Sequence, residues 1–255
     1  MAEQRPQLVK PGQFGVVAAA DSRRGVFDAH NEVLLAKGVP IDAVFTGDSI
    51  TDMWAIDGYF EGTQGILVNR GIGGDRTNFM RRRFEADVLQ LHPRLVVMKI
   101  GVNNFWDMDI WWDPSLLRRP AEIEDEIVND ITAMVEAARE QHIIVALCSI
   151  LPTDMPFNSN TPVRNQAITR VNERLKQLAD GSEVIYVDYH SHLVSGDGLT
   201  LRPGLADDGL HPHVVGYDIM ADVLLKTLDE ASVTVLKRRS PSMSARASTE
   251  DDRAI

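Results

Sequence analysis

Cysteine is almost absent from this chain: of 255 residues, only Cys148 carries a thiol. A single thiol closes no intrachain disulfide and builds no multi-thiolate metal site. Long apolar runs are missing too. The longest, residues 143–151, falls well short of the roughly 20 residues needed to cross a bilayer. The opening MAEQRPQLVKPGQ has no apolar stretch of the secretory kind, so the expectation is a soluble, cytoplasmic protein. Basic residues are scarce, 26 Lys and Arg against 37 Asp and Glu, which leaves a formal net charge of −11. A field of that sign repels phosphate backbones and anionic lipid, which argues against nucleic-acid or membrane partners. The rest is ordinary: 44% apolar and 25% charged residues are enough for a real core.

Short continuous apolar runs alternate with stretches of helical period. Residues 43–46 (AVFT), 66–69 (ILVN), 95–100 (LVVMKI), 143–150 (IIVALCSI) and 184–187 (VIYV) predict strands covered on both faces, because their apolar positions are unbroken rather than alternating. Helices are predicted over 28–37, ending at Gly38, and over 77–89, where Met80, Phe84 and Val88 form one stripe. A third starts at Pro120 and runs to about 141 with Ile123, Ile127, Ile131 and Val135 inward. A fourth is opened by Pro162 and closed by Gly181, and a fifth runs from Pro212 to about 228. This alternation predicts an α/β fold in three layers, helices on both sides of a mostly parallel sheet of about five strands. With no internal repeat, residues 1–235 are expected to form one domain. Residues 236–255, rich in Ser and Arg and without periodicity, are expected to be a disordered tail.

In an open parallel sheet, ligands bind beyond the carboxyl ends of the strands. Four turns there carry chemistry: Gly47-Asp48-Ser49-Ile50-Thr51, Arg70-Gly71-Ile72-Gly73-Gly74-Asp75, Gly101-Val102-Asn103-Asn104 and, past the last strand, Asp208-Gly209-Leu210-His211-Pro212. Ser49 is the candidate nucleophile, although a serine after Gly-Asp is also an ordinary helix cap. His211 is the candidate base. Asp208, three residues earlier, would fix its tautomer, and Pro212 disfavours helical backbone at the histidine and so holds it in the loop. The backbone N–H groups of Ser49 and Gly74 and the Asn103 carboxamide would form the oxyanion hole, though tight and Asx turns explain the last two equally well singly.

Taken together these blocks resemble the SGNH hydrolases, or GDSL esterases and lipases, with Ser49, Gly74, Asn103 and His211 at the family's four signature positions. The likeness spans roughly residues 43–228, and within the family GIGGD and GxNN are most similar to the platelet-activating-factor acetylhydrolase-like branch. Asn104 departs from the family's usual Asp at that position. The resemblance implies a flavodoxin-like fold and hydrolysis of short-chain, acetyl-type carboxylic esters through an acyl-enzyme, with no metal or other cofactor. There is no GxSxG elbow, which argues against an ordinary α/β-hydrolase.

All four tryptophans follow strands: Trp54 after the serine block, and Trp106, Trp111 and Trp112 after the asparagine block. They are expected either to wall the substrate cleft or to form a homodimer or larger homo-oligomer interface. Arg81-Arg82-Arg83 reads as a solvated helix face, Asp48 and Asp75 as hydrogen-bond partners of the neighbouring turns. The pairs His190/His192 and His211/His213 read as surface or capping residues. Two competing functions remain at this point. One is a metal-dependent phosphoesterase with Asp48, Asp52, Asp75, Asn103 and His211 as ligands. The other is a binding module that retains an esterase-like cleft.

Overall fold

Unbroken apolar strands become buried ones. The computed structural model describes residues 5–15, 18–110 and 112–240. In chain order they form α1 (Ala19–Lys37), β1 (Ile41–Gly47), α2 (Ser49–Asp52), α3 (Ile56–Tyr59), β2 (Phe60–Gly62), β3 (Ile66–Gly71), α4 (Thr77–Asp87), β4 (Leu95–Lys99), α5 (Pro120–Glu140), β5 (Ile144–Cys148), α6 (Thr161–Lys176), β6 (Val184–Val187), α7 (Tyr189–Leu193), α8 (Val214–Glu230) and β7 (Leu236–Arg238). Five strands make one parallel sheet in the order β3-β1-β4-β5-β6. Every residue of β1 and of β4 is buried.

Alternate residues feed two cores. Val44, Val96 and Val145 face the α4, α5 and α6 side, with Phe84, Ile127 and Ile168. Their neighbours Phe45, Val97 and Ala146 face the other side, with Tyr217, Met220 and Leu224 of α8. From β1 the chain crosses to β3 at one edge and then returns to β4 on the other side of β1. The carboxyl ends of β1 and β4 therefore border the switch point, where an open α/β sheet leaves a crevice. Gly47 pairs with both Gly71 and Lys99, so the turns after β1, β3 and β4 leave the sheet at one level.

Several boundaries differ from the periodicity. α1 begins at Ala19 instead of 28, anchored by Ala20 and Phe27 against Ile72. α6 ends at Lys176, short of Gly181, because Asp180 gathers the N–H groups of Ser182, Glu183 and Val184 into a turn that feeds β6. α8 starts at Val214: His213 is its N-cap, accepting from the Val215 N–H at 3.3 Å, and Pro212 stays outside. Residues 236–238, expected in a disordered tail, instead form β7, antiparallel to β2, with Leu236 buried and Lys237 paired to Glu61. The remainder of that stretch, 241–255, lies outside the described residues. Among the described residues no helix is long and apolar enough to cross a membrane.

Candidate active site

Ser49 opens α2 directly after β1, and three features hold it there. Asp48 caps the helix, accepting from the Ile50 N–H at 3.0 Å. The Tyr217 hydroxyl of α8 donates to the Ile50 carbonyl at 2.8 Å. Gly47, just behind, has no room for a side chain: a Cβ there would lie 2.1 Å from the Lys99 carbonyl oxygen. The turn after β3 closes over the same spot, with the Ile72 N–H donating to the Gly47 carbonyl at 3.0 Å.

His211, 162 positions along the chain, meets this serine: its Nε2 lies 2.8 Å from Ser49 Oγ. Its Nδ1 lies 2.5 Å from Asp208 Oδ2, and Asp208 Oδ1 accepts from the N–H groups of Leu210 and His211. Partial burial pushes the Asp208 carboxyl up. The donors from the His211 backbone, the imidazole and Leu210 outweigh that and hold it below the usual carboxylate range. The imidazole thus stands between a hydroxyl and an anion, the arrangement that can take a proton from the serine.

Of the segments expected to carry oxyanion donors, the glycine turn after β3 lies alongside. A Cβ on Gly73 would be 4.0 Å from Ser49 Cβ, which puts the glycine turn beside the hydroxyl. Gly74 has φ +77, a backbone that favours glycine. Asn103 donates from Nδ2 to the Asp75 carbonyl at 3.0 Å, next to Gly74. Asn104 bonds the start of α4, accepting from the Thr77 N–H and donating to the Thr77 hydroxyl.

Two buried charge clusters beneath the site, a lysine–aspartate pair and an arginine between two carboxylates, were not anticipated. Lys99, at the end of β4, bonds both oxygens of Asp48 at 3.0 Å, both side chains being buried. Burial lowers the Lys99 ammonium's proton affinity, and Asp48 only partly restores it. Arg83, expected on a solvated face, is instead wholly buried. It bridges Asp75 and Asp87 and donates to the carbonyls of Arg70 and Gly47. A lysine within an apolar strand was the available signal for the first pair. The second had no comparable signal, because Arg81, Arg82 and Arg83 look alike in sequence.

A cleft of about 540 Å³ adjoins the histidine, lined by Trp106, Met155, Pro156, Phe157, Asn158, Asp208, Leu210 and His211. Four of these come from the loop after β5, which holds no recognisable motif. Phe157 is fully exposed with φ +69, a strained backbone for a bulky residue, and borders a second cleft lined by Asp109, Ile110 and Leu117. Of the tryptophans, Trp106 lines the cleft. Trp54 does not: it is buried in the α8-side core, stacked on Tyr217, which corrects its placement as a substrate contact. Trp112 is exposed and Trp111 lies outside the described residues. The ligand set imagined for a phosphoesterase does not assemble, since Asp48 serves Lys99, Asp75 serves Arg83 and both His211 nitrogens are engaged.

The fold is a parallel α/β sheet flanked by helices, and its serine turn lacks a GxSxG elbow. The chain belongs to the GDSL-like lipase/acylhydrolase family, whose pattern matches residues 45–219, and it is a carboxylic ester hydrolase. It is 24% identical over 208 residues to an acetylxylan esterase of Geobacillus stearothermophilus, covering 72% of this chain and 92% of that protein. Its structure is similar to a GDSL-like lipase of Bacteroides thetaiotaomicron, with TM-score 0.65, 27% identity, and coverage of 81% of this chain and 97% of the other. A catalytic mutant of an acetylxylan esterase from G. stearothermophilus shares the fold at TM-score 0.58 and 20% identity, covering 78% of this chain and 97% of the mutant's.

Proposed function

We propose that the protein hydrolyses short-chain, acetyl-type esters through an acyl-enzyme on Ser49. One observation carries this reading: Ser49 Oγ, His211 Nε2, His211 Nδ1 and Asp208 Oδ2 form an unbroken relay with links of 2.8 and 2.5 Å. Ser49 Oγ attacks the ester carbonyl carbon as its proton passes to Nε2. The N–H groups of Ser49 and Gly74 and the Asn103 amide hold the oxyanion. Donors of this kind are worth roughly 10²–10³ each in rate. The tetrahedral intermediate collapses, the C–O bond to the alcohol breaks, and the leaving oxygen takes the proton from Nε2. Water then attacks the acyl-serine, giving its proton to His211, and Ser49 leaves with that proton restored.

Because His211 protonates the leaving oxygen, the alcohol portion belongs on the histidine's side, where the cleft lined by Trp106 and Phe157 opens. Preference for a short acyl group is supported by the relative named for acetylxylan. Ser49→Ala should lower p-nitrophenyl acetate turnover roughly 10⁴-fold or more while leaving the circular dichroism spectrum unchanged. In the wild type, kcat/KM should fall from acetate to octanoate. Near-native turnover by the alanine variant would sink the nucleophile assignment, and a rate rising with chain length would sink the acyl preference.

A further inference from the structure

We infer that Trp106 is a positioning residue for the reaction, one that sets the orientation of the Asn103 carboxamide. The inference rests on the reading of Asn103 as an oxyanion donor. A carboxamide can turn end for end with little change in shape, and only one of its two orientations offers N–H to an oxyanion. Here both ends face groups that accept a single orientation. The indole N–H of Trp106 can only donate, and it lies 3.0 Å from Asn103 Oδ1. The Asp75 carbonyl can only accept, and it lies 3.0 Å from Asn103 Nδ2. One N–H of Nδ2 is thereby used, and the second remains for the substrate oxygen.

Trp106 is itself held. The guanidinium of Arg164 lies over its ring, 5.0 Å from the centroid, and Arg164 is buried and ion-paired with Asp109. The Asp109 carboxylate also accepts from the amides of Asn158 at 3.1 Å and Asn160 at 2.8 Å. A chain of contacts thus runs from the loop after β5, through a cation stacked on an indole, to the amide that would face the oxyanion. Asn103 and Trp106 lie three positions apart in the 3₁₀ stretch Val102–Met108, which brings the indole over the amide.

The test is a double-mutant cycle on p-nitrophenyl acetate hydrolysis by the full chain. Trp106→Phe retains a ring beneath Arg164 and removes the N–H. It should lower kcat about tenfold, the worth of one well-placed hydrogen bond, with KM little changed. Asn103→Ala should lower kcat roughly 10²–10³-fold, and adding Trp106→Phe to it should cause no further loss. The same Trp106→Phe loss in both backgrounds, or a raised KM at unchanged kcat, would overturn the inference and make Trp106 a packing or substrate-contact residue. Normal kcat in Asn103→Ala would remove the oxyanion assignment and the inference with it. Should the phenylalanine variant fold poorly, replacing Trp106 with 3-benzothienylalanine preserves ring shape and deletes only the N–H. It should show the same fall in kcat, and full activity would again overturn the inference.

Discussion

Phe157 holds a fully exposed ring on a left-handed backbone, beside the cleft that adjoins His211. Strain at a bulky exposed residue is tolerated where the surrounding loop over-determines it, here through the Asp109–Asn158–Asn160 bonds. Phe157→Ala should therefore raise KM for aryl or glycosyl acetates about 3- to 10-fold, the value of one aromatic contact, and leave kcat for a small alkyl acetate unchanged. Steady-state kinetics on the two substrate types check this. Asp208 supports a prediction about acid stability. Its carboxyl is held below the ordinary 3.8 in the folded protein, so its contribution is complete above that value and is lost as pH falls through the lower, folded one. Urea unfolding at a series of pH values should show a stability gap between wild type and Asp208→Asn that is constant above pH 3.8 and narrows below it. A gap that widens in acid would contradict the assignment.

The serine turn at the carboxyl edge of the sheet is braced from below by side chains that have no part in the proposed chemistry. The Lys99–Asp48 pair ties the end of β4 to the cap of α2, and Tyr217 ties α8 to the same short helix. Lys99→Met would leave the Asp48 carboxylate buried without a counter-charge. It should lower the unfolding free energy by about 3–5 kcal/mol in chemical denaturation. Adding Asp48→Asn, which keeps a capping oxygen, should recover most of that loss. If the double variant is no more stable than Lys99→Met alone, the loss comes from packing and not from the stranded charge.

The catalytic candidates were legible in sequence for a definite reason. Ser49, Gly74, Asn103 and Asp208/His211 each lie past the carboxyl end of a strand readable as an unbroken apolar run, so motif and topology pointed to one rim of the sheet. The strands themselves were legible on the same ground. What escaped was of another kind. Trp54 looks like a loop aromatic, and only tertiary packing against Phe45, Phe60 and Tyr217 shows it to be core. Arg83 is one of three consecutive arginines, and its burial depends on Asp75 and Asp87 being turned toward it. β7 is three residues of Leu-Lys-Arg, polar by composition, held by pairing with β2 rather than by any periodicity of its own. The cleft wall at 155–158 carries no motif, and only the position of its loop after β5 could have marked it.

In the proposed mechanism, loops widely separated in sequence act on one carbonyl, with the covalent bond forming at position 49. Rapid-quench mass spectrometry during p-nitrophenyl acetate turnover tests this most directly. The peptide carrying Ser49 should gain the mass of one acetyl group within the first turnover and lose it as substrate is exhausted. An acetyl group that forms at turnover rate on another residue, or turnover with no covalent species at all, would contradict it.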